Sequence, residues 1–355
     1  MMRDKIPVAV LGATGVVGQR FLSLLDRHPW FEVVSVTGSD TRAGQPYGQA
    51  VHWVVPGELP RGVKEMALRP SVDPGDVAIV LSALPASVAL EVEPALASKG
   101  YVVCSNASAL RMDPDVPLLV PEINADHLRL IEVQQSRRKQ RGFVVTSPNC
   151  LTTGIVFPLK ALQQVFGLSL VHVVTMQAIS GSGYPGVASF DIQDNVIPFI
   201  DGEESKIEQE PRKVLGSLKD GGVETAAFRV SAQANRVPVS DGHLAALSVR
   251  LESRGTLGEV FEALENFEPS AHSRELPSAP ERAMLVQRTQ DRPQPRRDRD
   301  AGKGMTVSVG RVQGCEVLDY KLVALVHNTL RGAAGGAILN AELLAAQGYL
   351  SIQPR

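Results

Sequence analysis

Cysteine is scarce in this chain, and what is missing with it narrows the possibilities. Three cysteines in 355 residues, Cys104, Cys150 and Cys315, are too few and too scattered for a disulfide framework or a zinc cage. No cluster of His and Cys has metal-ligand spacing, so no metal is expected, and a reducing cytoplasm is the compartment that fits. Long apolar runs are missing too. The first one, Val8-Ala9-Val10-Leu11, is stopped by Gly12, far short of a signal peptide or a membrane span. The formal net charge is only -2 and no basic patch is interleaved with aromatics, so neither nucleic acid nor membrane is expected as a partner. The densest charge run, Arg292 to Asp300, mixes both signs with prolines and reads as a solvated loop or a subunit contact. What remains is a soluble globular chain, 44% hydrophobic, of about two domains.

The first part alternates short β-rich runs with helical segments. Pro7 to Leu11 reads as a strand, Val16 to Asp26 as a helix and Glu32 to Gly38 as a second strand; Val77 to Ser82, Tyr101 to Cys104 and Phe143 to Thr146 supply more strands. Strands that are almost wholly apolar and separated by helices imply a parallel sheet covered on both faces. Between the first strand and helix lies Gly12-Ala13-Thr14-Gly15-Val16-Val17-Gly18. Glycines at such a junction let the backbone turn tightly and approach a pyrophosphate, which then rests on the helix N-terminus. The spacing is G-x-x-G-x-x-G, and the strand–turn–helix context is what makes it a dinucleotide site. The second strand ends Thr37-Gly38-Ser39-Asp40-Thr41-Arg42. Asp40 suits the ribose hydroxyls of NAD and Arg42 the 2′-phosphate of NADP, so position alone leaves the choice open.

Cys150 sits between the Phe143 to Thr146 strand and a helical apolar pattern at Ile155, Leu159, Leu162 and Phe166. A thiol at a helix start meets unpaired backbone N–H groups and the positive end of the helix dipole, which favour the thiolate and can hold an oxyanion. The alternative is a core cysteine. Beyond Cys150 the texture changes to longer β-rich stretches, such as Leu170 to Ile179, Ala245 to Leu251 and Met305 to Arg311, which suggests an α+β unit with a mostly antiparallel sheet. The segment after His327 returns to a helix, Arg331 to Gln347, whose small residues suit close packing against the nucleotide-binding part.

A thiolate with a nicotinamide cofactor implies an acyl thioester and hydride transfer to or from its carbon. Such a site needs a proton carrier. His243, in a Pro/Gly loop just before an apolar strand, is the best placed of seven histidines, with His327 beside Asn328 as its rival. Arg111, Lys206 and Arg236 are cations in settings able to hold an anion.

Together, five segments resemble the aspartate-semialdehyde dehydrogenases of archaea, fungi and some bacteria. They are the glycine loop, Ser147-Pro148-Asn149-Cys150, the run from Gln177 to Gly186, the run from Asn235 to His243, and the run from His327 to Gly335. The resemblance runs nearly end to end and implies roles. Cys150 would be the acyl-thioester nucleophile, His243 the acid/base, and Asn149 with nearby backbone N–H groups the oxyanion holders. Gln177 would orient the substrate, Arg236 and Glu203 would hold its amino-acid end, and Arg111 with Lys206 would take its phosphate. NADP would contact Gly12, Thr14, Gly15, Val16, Val17, Gly18, Ser39, Arg42, Ser82, Ser180, Gly181 and Asn328.

The implied reaction is reductive dephosphorylation of L-aspartyl 4-phosphate by NADPH to L-aspartate 4-semialdehyde and phosphate, on the route to lysine, threonine and methionine. The implied organisation is a Rossmann-like NADP-binding domain over 1–149, a catalytic and dimerisation domain over 150–327 and a returning C-terminal helix over 328–355, assembled as a homodimer or homotetramer. Malonyl-CoA reductase resembles the same branch, but an amino-acid clamp favours the amino-acyl phosphate. An N-acetylated glutamyl phosphate reductase is more distant, and a pure binding module has no use for an activated thiol.

Overall fold

A computed structural model describes residues 5–350, and within it two six-stranded sheets organise the chain. The first sheet is built from β1 (Ile6–Leu11), β2 (Phe31–Gly38), β3 (Arg69–Pro70), β4 (Ile79–Ser82), β5 (Val102–Ser105) and β6 (Phe143–Thr146). Every pairing is parallel and the order is β3-β2-β1-β4-β5-β6. β4, β5 and β6 are buried on both faces, as their apolar sequences require. The chain reverses direction along the sheet at β1, so a crevice opens beyond Leu11 where β2 and β4 lead away to opposite sides. The sequence foresees these strands to within two residues, except for the two-residue β3, which has no apolar run to announce it.

The second sheet comprises β7 (Leu168–Gln177), β10 (Arg229–Arg236), β11 (His243–Leu251), β12 (Met284–Gln287), β13 (Val307–Gly314) and β14 (Tyr320–Val326); β8 (Ser217–Lys219) and β9 (Gly222–Glu224) form a separate hairpin. Its order is β10-β7-β11-β14-β13-β12. The three central pairings are antiparallel and the two edge pairings, β10 with β7 and β12 with β13, are parallel. The sheet is therefore mixed, antiparallel at its centre.

This register decides where side chains gather. β7 and β10 run the same way and end opposite each other at Gln177 and Arg236. β11 runs against β7 and so begins at that same edge, with Leu244 opposite Met176, and β14 returns to it with Val326 opposite His243. Gln177, Arg236, His243 and the His327-Asn328 pair thus leave one edge of the sheet. The Cys150–Phe166 helix packs on the face of this sheet, with its first turns at that edge, where Gly154 lies against Val326. Its Ile155, Leu159, Leu162 and Phe166 are buried, and it shares a core with Val171 and Val173 of β7, Leu247 of β11 and Val326 of β14.

The last helix, Gly335–Ala346, returns to the first sheet as its small residues suggest. Ala337, Ile338, Leu339 and Leu343 join Val8, Val10, Phe21 and Ile79 in one core. Its lead-in, Leu330–Ala334, is a π-helical turn. Arg331 in that turn is 1% exposed, stacks its guanidinium over Phe157, and pairs through both terminal nitrogens with Glu122 at 2.6 Å. Residues 1–4 and 351–355, the ends of the expected first and third units, lie outside the described residues.

The Arg292 to Asp300 run is more tightly held than the solvated loop that its charges suggest. Asp298 is buried, pairs with Arg292 and accepts from the Gln294 N–H, while Arg299 donates to the Asp241 carbonyl and Pro295 packs on Gly242. Its mixed signs pair internally and brace the loop that carries His243.

Removing one member of a buried, doubly bonded ion pair strands the other. Arg331→Ala should therefore cost about 3–5 kcal/mol of stability, read by urea unfolding. A loss under about 1 kcal/mol would show that Glu122 finds another partner or leaves the interior.

Candidate active site

The site begins at the C-terminal ends of the parallel strands, as an open parallel sheet requires of its ligand crevice. Gly12 follows β1 with φ of 66°, and a Cβ there would fall 2.7 Å from the Ala83 carbonyl oxygen; one at Gly18 would fall 2.3 Å from the Gly12 oxygen. Those two glycines are demanded by the fold itself. Gly15 is different: it is exposed at the N-cap of the Val16–Leu25 helix, with no side-chain cap, and the backbone around it is clear. The loop is braced from behind. Tyr47 donates to the Ala13 carbonyl, Gln19 to the Thr14 and His52 carbonyls, and the Gly12 N–H reaches Thr37 Oγ1. Thr14, Val16 and Val17 keep part of their surface, while the Ser82 hydroxyl at the end of β4 is buried beside the Glu93 carboxyl. A bare helix start and an approachable glycine fit a dinucleotide pyrophosphate.

Ser39 and Arg42 lie on the exposed rim beyond β2. The Ser39 hydroxyl bonds Thr41, and Arg42 donates one nitrogen to the Ala50 carbonyl at 2.8 Å, leaving the rest of its fork to solvent. The side chain of Asp40 lies outside the described residues.

Cys150 is the first residue of its helix, as its sequence position predicts. The expectation that this end favours the thiolate does not hold in the unliganded site. Asn149 caps the helix, its Oδ1 accepting from Leu151 N–H at 2.9 Å and Thr152 N–H at 3.3 Å. That cap uses donors which would otherwise face a sulfur anion. Burial pushes the thiol up to about 12, the Glu203 carboxylate adds to the effect, and Arg111, the Leu151 N–H and Arg236 pull only partly the other way. Unliganded, Cys150 rests as a thiol. Against it packs the π-helical turn: a Cβ on Gly332 would lie 2.7 Å from the Cys150 Cβ, so only glycine lets these two backbones approach.

Glu203 is the hub. It starts the Glu203–Val214 helix, is 6% exposed, and accepts through one oxygen from Asn149 Nδ2 at 2.8 Å and Gln177 Nε2 at 2.9 Å. Its other oxygen lies 3.5 Å from Lys206 Nζ, one turn along. Arg236 is buried at the end of β10 and donates to the Ala178 carbonyl at 2.7 Å. Gly181 sits over both Arg236 and His243, since a Cβ there would come within 2.7 Å of the Arg236 guanidinium and 3.0 Å of the imidazole.

His243 is fully buried, and its Nδ1 accepts from the Ala178 N–H at 3.1 Å. The neutral ring must then carry its proton on Nε2, which has no protein partner. Burial, then Arg236 and His327, press its pKa down to about 3, so the resting imidazole is a neutral N–H donor. Asn328 does more than face a cofactor. Its Oδ1 accepts from the Gly242 N–H at 2.9 Å and its Nδ2 donates to the Ser180 hydroxyl at 2.8 Å, joining the His243 loop to the Ser180-Gly181 turn. His327, the rival, is buried with its Nδ1 unpartnered, and burial lowers its pKa as well.

Arg111 also reaches the cluster, held by Glu210 and the Asn106 carbonyl, each at 2.8 Å. The sequence reading misses Glu210, Lys213, Gly332 and the brace from Tyr47 and Gln19. One signal for the first two was present: Glu203, Glu210 and Lys213 share a helix face with the buried Ile207 and Val214.

A thiol held as a thiol by a neighbouring carboxylate makes a measurable prediction. Alkylation of unliganded Cys150 by iodoacetamide, followed by mass spectrometry, should keep rising with pH beyond 10, and Glu203→Gln should speed it at pH 8. An inflection near pH 7 in the unsubstituted protein would overturn this account of the resting site.

Comparison with known proteins bears on the whole chain. The family described as semialdehyde dehydrogenase, NAD binding domain, matches residues 7–131, and the one described as semialdehyde dehydrogenase, dimerisation domain, matches 159–331. An aspartate-semialdehyde dehydrogenase of Archaeoglobus fulgidus is 50% identical over 95% of this chain and 97% of its own. An NADP-bound crystal structure of aspartate semialdehyde dehydrogenase from Candida albicans superposes with a TM-score of 0.89 at 40% identity, covering 97% of this chain and 99% of that one. A malonyl-CoA reductase (NADP) of Metallosphaera sedula is 38% identical over 98% of this chain and 99% of its own. With half of its residues shared with the first of these over nearly the full length, the chain belongs to the aspartate-semialdehyde dehydrogenase family.

Proposed function

We propose that this chain catalyses the NADPH-dependent reductive dephosphorylation of L-aspartyl 4-phosphate to L-aspartate 4-semialdehyde and phosphate, through an acyl thioester on Cys150. One observation carries the reading: the buried Glu203 carboxylate that joins Asn149, beside the thiol, to Gln177, with Lys206 next to it. An enzyme for a coenzyme A thioester needs no such anionic anchor for a substrate ammonium group.

The residues divide the work as follows. Glu203 and Arg236 take the amino and carboxylate groups of the substrate, Gln177 orients the chain between them, and Arg111 with Lys206 holds the phosphoryl group. A substrate ammonium on Glu203 neutralises the charge that holds the Cys150 proton, while Arg111 and Arg236 still favour the sulfur anion. Substrate binding is thereby coupled to activation of the nucleophile. Cys150 attacks the acyl carbon, the oxyanion is met by the Cys150 backbone N–H, which the Asn149 cap does not engage, and phosphate departs with the bonding electron pair and takes up the thiol proton. NADPH, held at the glycine loop with Ser82, Ser39 and Arg42, supplies the hydride when bound. His243 presents its Nε2–H to the oxygen that becomes the aldehyde, and the sulfur leaves as a thiolate that takes a proton from solvent to regenerate the thiol.

Residues 1–149 are assigned to NADP binding, 150–327 to catalysis and dimerisation, and 328–355 to a segment that closes back on the first unit. The assembly is a homodimer or homotetramer in the cytoplasm. Support comes from an apolar surface on residues 184–199, where Tyr184, Val196, Phe199 and Phe190 are 62, 52, 65 and 99% exposed, inside the stretch matched by the dimerisation family. No helix among the described residues is long and apolar enough to cross a membrane.

The deciding measurement is oxidation of aspartate semialdehyde, which should require both NADP and phosphate and should vanish in Cys150→Ala with NADP affinity retained. Turnover of malonyl-CoA with none of the semialdehyde would replace the reading. Arg42→Ala should weaken NADP by roughly 10- to 100-fold, the worth of a charged hydrogen bond of about 1.5–3 kcal/mol, and leave NAD almost unchanged. Equal losses for both would remove Arg42 from the 2′-phosphate site.

A further inference from the structure

The Glu203–Val214 helix buries a second carboxylate that the reaction above does not use. Glu210 is 2% exposed. A carboxylate so deep persists only when both oxygens are engaged, and here they go to two different parts of the site. One accepts from Arg111 Nη1 at 2.8 Å. The other accepts from the backbone N–H of Asn149 at 2.5 Å, in the Pro148–Asn149 peptide one residue before Cys150.

The rest of the Arg111 environment is arranged around the same helix. Its Nη2 donates to the Asn106 carbonyl at 2.8 Å, and its Nε is buried with no partner in the protein. Lys213, three residues beyond Glu210, donates to the carbonyls of Arg111, Asp113 and Val116 at 2.7, 2.7 and 2.8 Å. One helix therefore fixes the guanidinium through Glu210 and the backbone of the same loop through Lys213. A pair needed only for stability would not require the second oxygen to be given to the peptide before the nucleophile.

We propose that Glu210 is a positioning residue: with one carboxylate it aims Arg111 at the phosphoryl group and fixes the Pro148–Asn149 peptide just before Cys150, so that anion recognition and nucleophile placement form one mechanical unit. This rests on the proposed role of Arg111 as a phosphate ligand. Glutamine cannot replace it. Both partners of Glu210 are donors, and a primary amide offers an acceptor to only one of them, leaving a donor against a donor at the other.

The test is a double-mutant cycle on the full-length protein, using phosphate-dependent oxidation of aspartate semialdehyde with inorganic phosphate varied. Glu210→Gln should raise the KM for phosphate by about tenfold or more and lower kcat, with the NADP Kd unchanged. In an Arg111→Ala background the same substitution should change the phosphate KM by less than about twofold, because the residue through which it acts is gone. Additive effects, an unchanged phosphate KM, or a parallel loss of NADP affinity in Glu210→Gln would each overturn the proposal. If Glu210→Gln does not fold, Glu210→Asp keeps the charge but is one methylene too short for both contacts, and should raise the phosphate KM in the same direction; an unaltered KM there also overturns it. Oxidation by the unsubstituted protein that needs no phosphate would remove the proposed function, whereas phosphate dependence with an additive cycle removes only this inference.

Discussion

One buried carboxylate organises the candidate site. Glu203 takes a hydrogen bond from Asn149 at the head of the Cys150 helix and another from Gln177 at the end of a strand in the second sheet, and keeps its remaining oxygen toward Lys206. Lys206 lies 3.5 Å from that oxygen, and Arg236 interacts with the same group. Burial keeps the proton on Cys150, and Glu203 adds to the effect. In the proposed reaction, a substrate ammonium group on Glu203 would tip this balance toward the sulfur anion. Such a thiol is protected from stray electrophiles when no substrate is present.

Two sheets of opposite design deliver these groups. The parallel sheet presents strand ends, from Gly12 to Cys150, along a single edge by construction. The mixed sheet achieves the same by alternating direction, so that strands ending at Gln177, Arg236 and Val326 share an edge with the strand that starts at His243. Asn328 then ties the His243 loop to the Ser180-Gly181 turn, and the paired charges of residues 292–300 press on it from behind. The precision of the site is a property of register more than of any one loop.

Much of this was legible in the sequence where a physical constraint acts on a short stretch. Apolar strands, the glycine loop and the helix beginning at Cys150 each follow from local pattern. β10 was harder, because an edge strand reading Arg-Val-Ser-Ala-Gln-Ala-Asn-Arg is half exposed and lacks an apolar run. The protonation states of Cys150 and His243 were not legible at all. A helix start suggests a thiolate, but the outcome depends on Asn149 consuming the helix donors and on Glu203 arriving from 53 residues away, and the tautomer of His243 depends on the Ala178 N–H brought beside it by strand pairing. Glu210 was hidden for a related reason: a charged residue on a helix reads as solvated until its partners are seen.

The return of the final helix has a consequence for how this protein comes into being. Ala337, Ile338, Leu339 and Leu343 complete the core under strands that leave the ribosome long before them. During synthesis the parallel sheet must wait, with part of its apolar surface uncovered, until that helix has been made. Contacts between chain segments some 300 residues apart also make closure slow relative to local helix formation. Truncation near the C-terminus is thus felt first at the opposite end of the sequence, in the strands around the glycine loop.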